Sequence, residues 1–504
     1  QSPSFCTPLN HHGLASIGST FGAGRHLVTS SRLIEGSEAL RQWGSGASKR
    51  PAPLPAGLGG GPRSLEMDLK GSAWGPPGDS CSGRENKPPG GPTSDPPVDN
   101  GRQRRRPLQC PGPRTQAPGR MEGYAWTMVR ELVLVGGGHT HVQVLESLAV
   151  EPIPGFRVTV VVDTPIAVYS GMVPGFVAGQ YEMHDLQIDV QALADRAGAR
   201  TVVALATSID SARRHVVLAD EAPLPFDVAS VNIGSTVAGL DLPGIRQFAL
   251  PTRPIGDLVH HIDTLITGLR EETERDAFRI VVVGGGAGGV EMAFTLQERI
   301  SNEFDGALTV QLVHSGVRLM QGYPPGLARR IHRHAERRGI QIEAERRVVG
   351  ADEGAVRFET GDPIAFDALI WVVGAASHAF FRDSDLPTDA RGFVRTRSSL
   401  QIQSDDALFA AGDCATLDEF PDTPKAGVYA VRQGPVLTRN LRAVAAGTDL
   451  ESYRPQSDFL TLLNLGDGTA LGAKWRRTFE GRWVMWLKDR IDRNFMRRFQ
   501  DSGT

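Results

Sequence analysis

The sequence predicts an α/β fold that holds two dinucleotides side by side, and three observations carry that expectation. A glycine-rich turn follows an apolar run twice, Gly136-Gly137-Gly138 after Leu132 to Val135 and Gly284-Gly285-Gly286-Ala287-Gly288-Gly289 after Ile280 to Val283. Each turn leads into a helical pattern and then another β-rich run, the alternation of parallel sheets covered by helices. The turns begin 148 residues apart, at 136 and 284, so each belongs to its own unit. Glycine is required for geometric reasons. The first allows the tight strand-to-helix turn, the second lets backbone approach a pyrophosphate, and the helix N-terminus attracts that anion. A flavin beside a nicotinamide is the expected pair.

A chain of 504 residues has room for two or three domains. Between Pro51 and Arg120, 28 of 70 residues are Pro or Gly, which leaves too little apolar material for a core, so residues 1–127 are expected to be a disordered tail. Residues 1–34 lack Asp and Glu and are rich in Ser, as organellar transit peptides are. The competing reading is upstream translation, because Met128 stands directly before the first strand. A net charge of −3 and a pI near 6.5 give no reason to expect nucleic acid as a partner. No run of 18 apolar residues occurs, so no spanning helix is expected. Cys6, Cys81, Cys110 and Cys414 include no CxxC or CxxxxC pair. That usage points to a reducing, cytoplasmic setting and away from a cysteine relay.

In order, the first unit reads as a strand from Glu131 to Val135, the glycine turn, a helix from about Thr140 to Val150, and a strand from Arg157 to Val162 ending at Asp163. Asp163 lies 25 residues past Gly138, close to the offset of about 20 for an acid that bonds ribose hydroxyls. A solvated loop aspartate is the plainer alternative. His141 takes the place of the third glycine. Its bulk either holds the helix away from the strand or turns the side chain toward the cofactor. With no Cys, Asp or Glu cluster to complete a ligand set, His139 and His141 carry no metal expectation.

The second unit is more regular, since Gly284, Gly286 and Gly289 match GxGxxG in full and Glu291 follows on the same helix. Its next strand, Thr309 to Val313, ends at His314-Ser315 instead of an acid. An acid there favours the free 2′-hydroxyl of NAD, whereas a small polar residue with a base nearby accommodates a 2′-phosphate. Arg318 reads as the only nearby base, and the choice between NADH and NADPH stays open. Further along, Phe226-Asp227 leads into Asn232-Ile233-Gly234-Ser235, Phe366-Asp367 leads into Trp371-Val372-Val373-Gly374, and Leu408 to Ala411 leads into Gly412-Asp413-Cys414.

That succession resembles the pyridine nucleotide-disulfide oxidoreductase superfamily from about Met128 to Ala446. The resemblance implies two Rossmann-like domains, an FAD domain made of 128–250 and 373–446 with an NAD(P)H domain, 251–372, inserted, followed by a C-terminal segment, 447–504. It implies that Asp413 binds the ribityl or pyrophosphate region of FAD and Asp163 its adenosine ribose. The phrases Gly136 to His141, Tyr169-Ser170-Gly171-Met172-Val173-Pro174-Gly175 and Lys425 to Gly434 are most similar to NADH dehydrogenase-like flavoproteins, some fused to selenide,water dikinase. More distantly the chain is similar to type II NADH:quinone dehydrogenases. A disulfide reductase needs two thiols beside the flavin, and Thr164 to Tyr181 contains none.

The resulting expectation is an FAD-dependent NAD(P)H oxidoreductase that delivers electrons to a quinone-like or other small acceptor. The resemblance places Glu291 near both rings, and Tyr169, Pro174 and Lys425 around the flavin, where Lys425 stabilises its reduced form. Each has a plainer reading: a helix N-terminal glutamate, a core tyrosine, a solvated lysine. Only Gln433 aligns with the paired glutamines of the quinone enzymes, and Arg432 replaces the other. From Trp475 to Phe499, aromatic residues recur at helical spacing among Lys and Arg, which fits either a membrane-surface helix or one packed on the flavin domain or a dimer partner. A sensor that binds both nucleotides with slow turnover is the competing class.

Overall fold

The structure, a computed structural model, describes residues 129–272 and 275–500. The expected tail, with Cys6, Cys81 and Cys110, lies outside the described residues. Two five-stranded parallel sheets share the arrangement of four strands and differ in where the chain supplies the fifth, an edge strand. The first runs Leu408–Ala410, Val228–Val231, Arg130–Val135, Phe156–Val162, Arg200–Val203. The second runs Ala249–Pro251, Ala368–Trp371, Ala277–Val283, Ala307–Val313, Gln341–Glu343. Strand Leu408–Ala410 follows the whole second sheet in the chain, whereas Ala249–Pro251 precedes the rest of its own. The chain is therefore α/β with two Rossmann-like halves.

The strand before each glycine turn is central, which is why it reads as an unbroken apolar run. Alternate residues go to opposite faces. Leu132 and Leu134 enter one core together with Ile280 and Val282, so the two sheets share it. Val133 and Val135 pack with Ile209 and Val216, and Val281 and Val283 with Ala351 and Val356. Those partners belong to two three-stranded antiparallel sheets, Ala206–Asp210, His215–Leu218, Leu224–Pro225 and Val348–Asp352, Ala355–Phe358, Ile364–Ala365. Each precedes a Phe-Asp pair with the same task. The Asp227 carboxylate accepts from the Glu131 N–H at 2.6 Å, and that of Asp367 from the Arg279 N–H at 2.7 Å. Each acid so pins the start of its own central strand.

The two crossings meet as an antiparallel ribbon, Thr236–Val237 on Ala375–Ala376. The C-terminal region departs from the sequence expectation of one continuous helix. Trp475 and Phe479 belong to a three-stranded sheet, Thr461–Asn464, Ala470–Lys474, Arg477–Gly481, whose Trp475-Arg476 turn has positive φ at both residues. The helix is Arg482–Gln500. The helical spacing of the aromatics carried across the turn by coincidence. Phe495, Met496 and Phe499 enter the shared core, while Trp483, Trp486 and Ile491 are exposed.

Candidate functional site

At the first turn Gly136 adopts φ +94°, and at the second Gly284 adopts φ +145°, backbone conformations that glycine alone takes readily. Helix His139–Val150 starts under Asn232, whose Oδ1 accepts from the N–H groups of Thr140 at 3.0 Å and His141 at 3.2 Å. His141 is turned inward. Its Nδ1 lies 2.7 Å from the Gly136 carbonyl oxygen and its Nε2 2.9 Å from Ser230 Oγ. It bridges turn and sheet, so neither sequence alternative describes it: the ring fills the space a glycine would leave and stays neutral, its pKa lowered by burial to about 4. Helix Ala287–Ser301 uses glycine instead, because a Cβ at Gly289 would run into the Gly284 carbonyl. Around Gly286 no atom beyond its two chain neighbours lies within 4 Å of where a Cβ would be, which leaves room for a pyrophosphate.

A cavity of about 790 Å³ runs from the second glycine turn to the loop after Val168. Of the predicted residues, Gly284, Gly286, Glu291, His314, Gly374 and Lys425 line it, with Ser170 and Pro174. Tyr169 does not. Its hydroxyl donates to Asp492 at 3.0 Å and its ring packs on Phe495 at 4.7 Å, so it anchors the C-terminal helix behind the loop. Asp163 is exposed at its strand end and accepts from the Thr164 N–H at 2.9 Å. Gly234, with φ +70°, turns the first crossing. Gly412, with φ +77°, donates its N–H to Gln433 Oε1 at 2.6 Å. Gln433 is buried there as a structural acceptor. Asp413 accepts from Arg253 Nη2 at 3.0 Å, and burial holds its carboxyl above the ordinary range despite Arg253 and Lys425.

Glu291 is half-buried and its Oε1 accepts from the Asn464 N–H at 2.8 Å. Burial pushes its pKa up to about 7, with Lys488 pulling the other way. Lys488 is itself buried, donating to Asp492 Oδ2 at 2.8 Å and to the Gly171 carbonyl at 2.7 Å. Burial opposes its charge, but Asp492 and Glu291 outweigh that and keep it an ammonium. Lys425 donates to the Ala415 carbonyl and to Thr416 Oγ1, and lies 4.3 Å over the Phe393 ring. Burial lowers its pKa to about 8, so it is still largely charged at neutral pH. Cys414 donates to the Ala411 carbonyl, and burial pushes its thiol up to about 11, as suits an inert residue.

Sequence reading missed Arg253, Lys488, Asp492, and two further arginines. Arg318 is not the only base by the second turn: Arg346 and Arg347 line the same cavity. They arrive because the Arg346 N–H donates to the His314 carbonyl at 3.0 Å and the His314 N–H to that of Glu343 at 2.9 Å. Only the Arg-Arg pair itself hinted at them. Buried nitrogens with no partner among the described residues mark both turns and the wall between: His139 Nε2, His314 Nε2 and Arg253 Nη1. Such atoms cost free energy until an acceptor reaches them. Phosphate and ribose oxygens are acceptors, so these residues fit FAD and NAD(P)H.

A family model described as pyridine nucleotide-disulphide oxidoreductase matches residues 130–434. The chain is 24% identical over 361 residues to the NADH dehydrogenase-like protein YutJ of Bacillus subtilis, covering 71% of this chain and 97% of that protein. Over 333 residues it is 22% identical to the type II NADH:quinone oxidoreductase of Staphylococcus saprophyticus, with 62% and 82% covered. The structure of NDH2 from Plasmodium falciparum in complex with NADH aligns with a TM-score of 0.63 at 11% identity, covering 73% of this chain and 96% of that one. At that identity the likeness speaks for the fold.

Proposed function

The chain belongs to the pyridine nucleotide-disulphide oxidoreductase family, and from that premise we propose that this FAD-dependent NAD(P)H oxidoreductase hands its electrons to a quinone-class acceptor without a redox disulfide. The observation that carries the reading is the cavity itself, which joins the second glycine turn to Ser170, Pro174 and Lys425 in one space. Bound FAD supplies the ring that accepts hydride. The protein's part is to orient, to place charge and to hold a proton. The Gly284–Gly286 backbone and the N-terminus of helix Ala287–Ser301 hold the nucleotide's pyrophosphate. Ser170, Val173 and Pro174 wall the cavity opposite. Lys425 offers a positive charge where electron density grows on reduction. Glu291, with Oε1 engaged by Asn464, keeps Oε2 for a proton it can hold or release near pH 7.

An acceptor dissolved in a membrane agrees with the C-terminal surface. Trp475, Trp483 and Trp486 are exposed beside Arg476, Arg482 and Arg490, the composition of an interfacial patch. No helix among the described residues is long and apolar enough to cross a membrane. Among those residues Cys414 is the sole cysteine, which supports an acceptor other than a disulfide. The test is anaerobic: protein reduced with NAD(P)H is mixed with a short-chain ubiquinone or with oxidised glutathione. Rapid return of the flavin spectrum with quinone alone supports the proposal. Return with the disulfide, and none with quinone, sinks it.

A further inference from the structure

Behind the second glycine turn the cavity ends in a pocket whose charge is one-sided. Ser315, Gly316, Arg318, Arg346 and Arg347 line this end. Among the described residues the only carboxylate lining the whole cavity is Glu291, and Asn464 of the C-terminal sheet holds that one. Glu343 and Glu345 lie on the adjoining segment, yet their side chains do not line the cavity. The strand Ala307–Val313 stops at His314, the point of a parallel sheet at which an acid would receive the 2′-hydroxyl of an adenosine ribose. His314 cannot serve that way. Its ring packs against Gly285, and burial and His332 keep its pKa below the ordinary value, so it brings no negative charge.

The three arginines differ in how firmly they are held. Arg346 lies 4.0 Å over the Phe358 ring and donates to the Asp362 carbonyl at 2.6 Å, while its buried Nε has no partner among the described residues. Arg318 makes one long hydrogen bond, 3.3 Å to the Tyr323 carbonyl. Arg347 is 3.5 Å from Glu359 in an ion pair whose side chains are 67% and 64% exposed, an association weak enough to be exchanged for a better anion. A rigid guanidinium flanked by two with donors to spare suits a phosphate dianion, which takes several charge-assisted bonds at once. A ribose hydroxyl does not need them.

We infer that this end of the cavity is a 2′-phosphate site, in which Ser315, Arg318, Arg346 and Arg347 hold the adenosine phosphate of NADPH, so that the enzyme takes NADPH in preference to NADH. The inference rests on the cavity being the nicotinamide dinucleotide site. Calorimetry of the FAD-loaded protein with ADP-ribose and with 2′-phospho-ADP-ribose tests it, because neither probe carries a nicotinamide and no flavin chemistry intrudes. The phosphorylated probe is expected to bind roughly 10-fold tighter or more, by an amount that shrinks as salt is added. Arg318→Ala and, separately, Arg347→Ala should each narrow the gap severalfold and leave ADP-ribose binding nearly unchanged. Equal binding of the two probes to wild type overturns the phosphate site while leaving the cavity a nucleotide site. Binding of neither probe overturns the reading of the cavity and this inference with it.

Discussion

His141 Nδ1 and the Gly136 carbonyl oxygen lie 2.7 Å apart, so the first glycine turn is closed by a side chain where the second is closed by backbone packing on Gly289. A substitution that restores the consensus glycine therefore removes structure. His141→Gly should lower the unfolding free energy of the FAD-loaded protein by about 2–4 kcal/mol, from the vacated space and the lost bonds to Gly136 and Ser230. Denaturant titration measures it. Unchanged stability would mean that the ring is a passenger.

Asp413 and Arg253 tie the returning strand to the entry of the second unit at 3.0 Å. Asp413→Ala removes a buried acceptor that we assign to the flavin's ribityl or pyrophosphate region, and leaves Arg253 without its partner. The purified variant should lose most of its yellow colour. Full flavin occupancy would refute the assignment.

Glu291 should make stability depend on pH in the opposite sense from an acid held ionised by a salt bridge. Its pKa is about 7 in the fold against 4.5 when free, so between those values the folded state holds a proton that the unfolded state has lost. Stability then falls as pH rises from 4.5 to 7, by about 3 kcal/mol in total. Glu291→Gln abolishes that slope. Measured at pH 5 and at pH 8, the variant should gain on wild type by an amount of that order. A constant difference across the range would place the carboxylate in water.

The two turns were legible in the sequence because a tight strand-to-helix turn and close backbone approach can be met by few residues other than glycine, and the same holds for Gly412 before Asp413. The Phe-Asp pairs looked ordinary. Their role, pinning Glu131 and Arg279, depends on strands 96 and 88 residues distant. Arg346 and Arg347 reach the cavity only through the pairing of segments 314–316 and 343–346, which no local pattern encodes. Lys488 counted only as one of the basic residues between the aromatics, and Asp492, four residues on, gave no signal of its own because that spacing is common to ordinary surface pairs. Burial against Gly171 and Tyr169 gives them a different meaning.

His314 occupies the position of the ribose acid. His314→Glu should raise the ratio of kcat/KM for NADH over NADPH, because a carboxylate accepts from ribose hydroxyls and repels a 2′-phosphate. Arg318, Arg346 and Arg347 will oppose part of that repulsion, so a shift of roughly 10-fold is expected. An unchanged ratio would mean that this strand end does not face the adenosine ribose.

On this reading the chain passes hydride from a nicotinamide to a flavin bound in the same molecule. Purified yellow protein is titrated anaerobically with NADPH and, in parallel, with NADH while the flavin absorbance is followed. Stoichiometric bleaching by one or both nucleotides, within the mixing time or shortly after, is the predicted result. Nucleotide that binds, as shown by calorimetry, while the flavin stays oxidised for many minutes would contradict the claim and leave a binding protein in place of an enzyme.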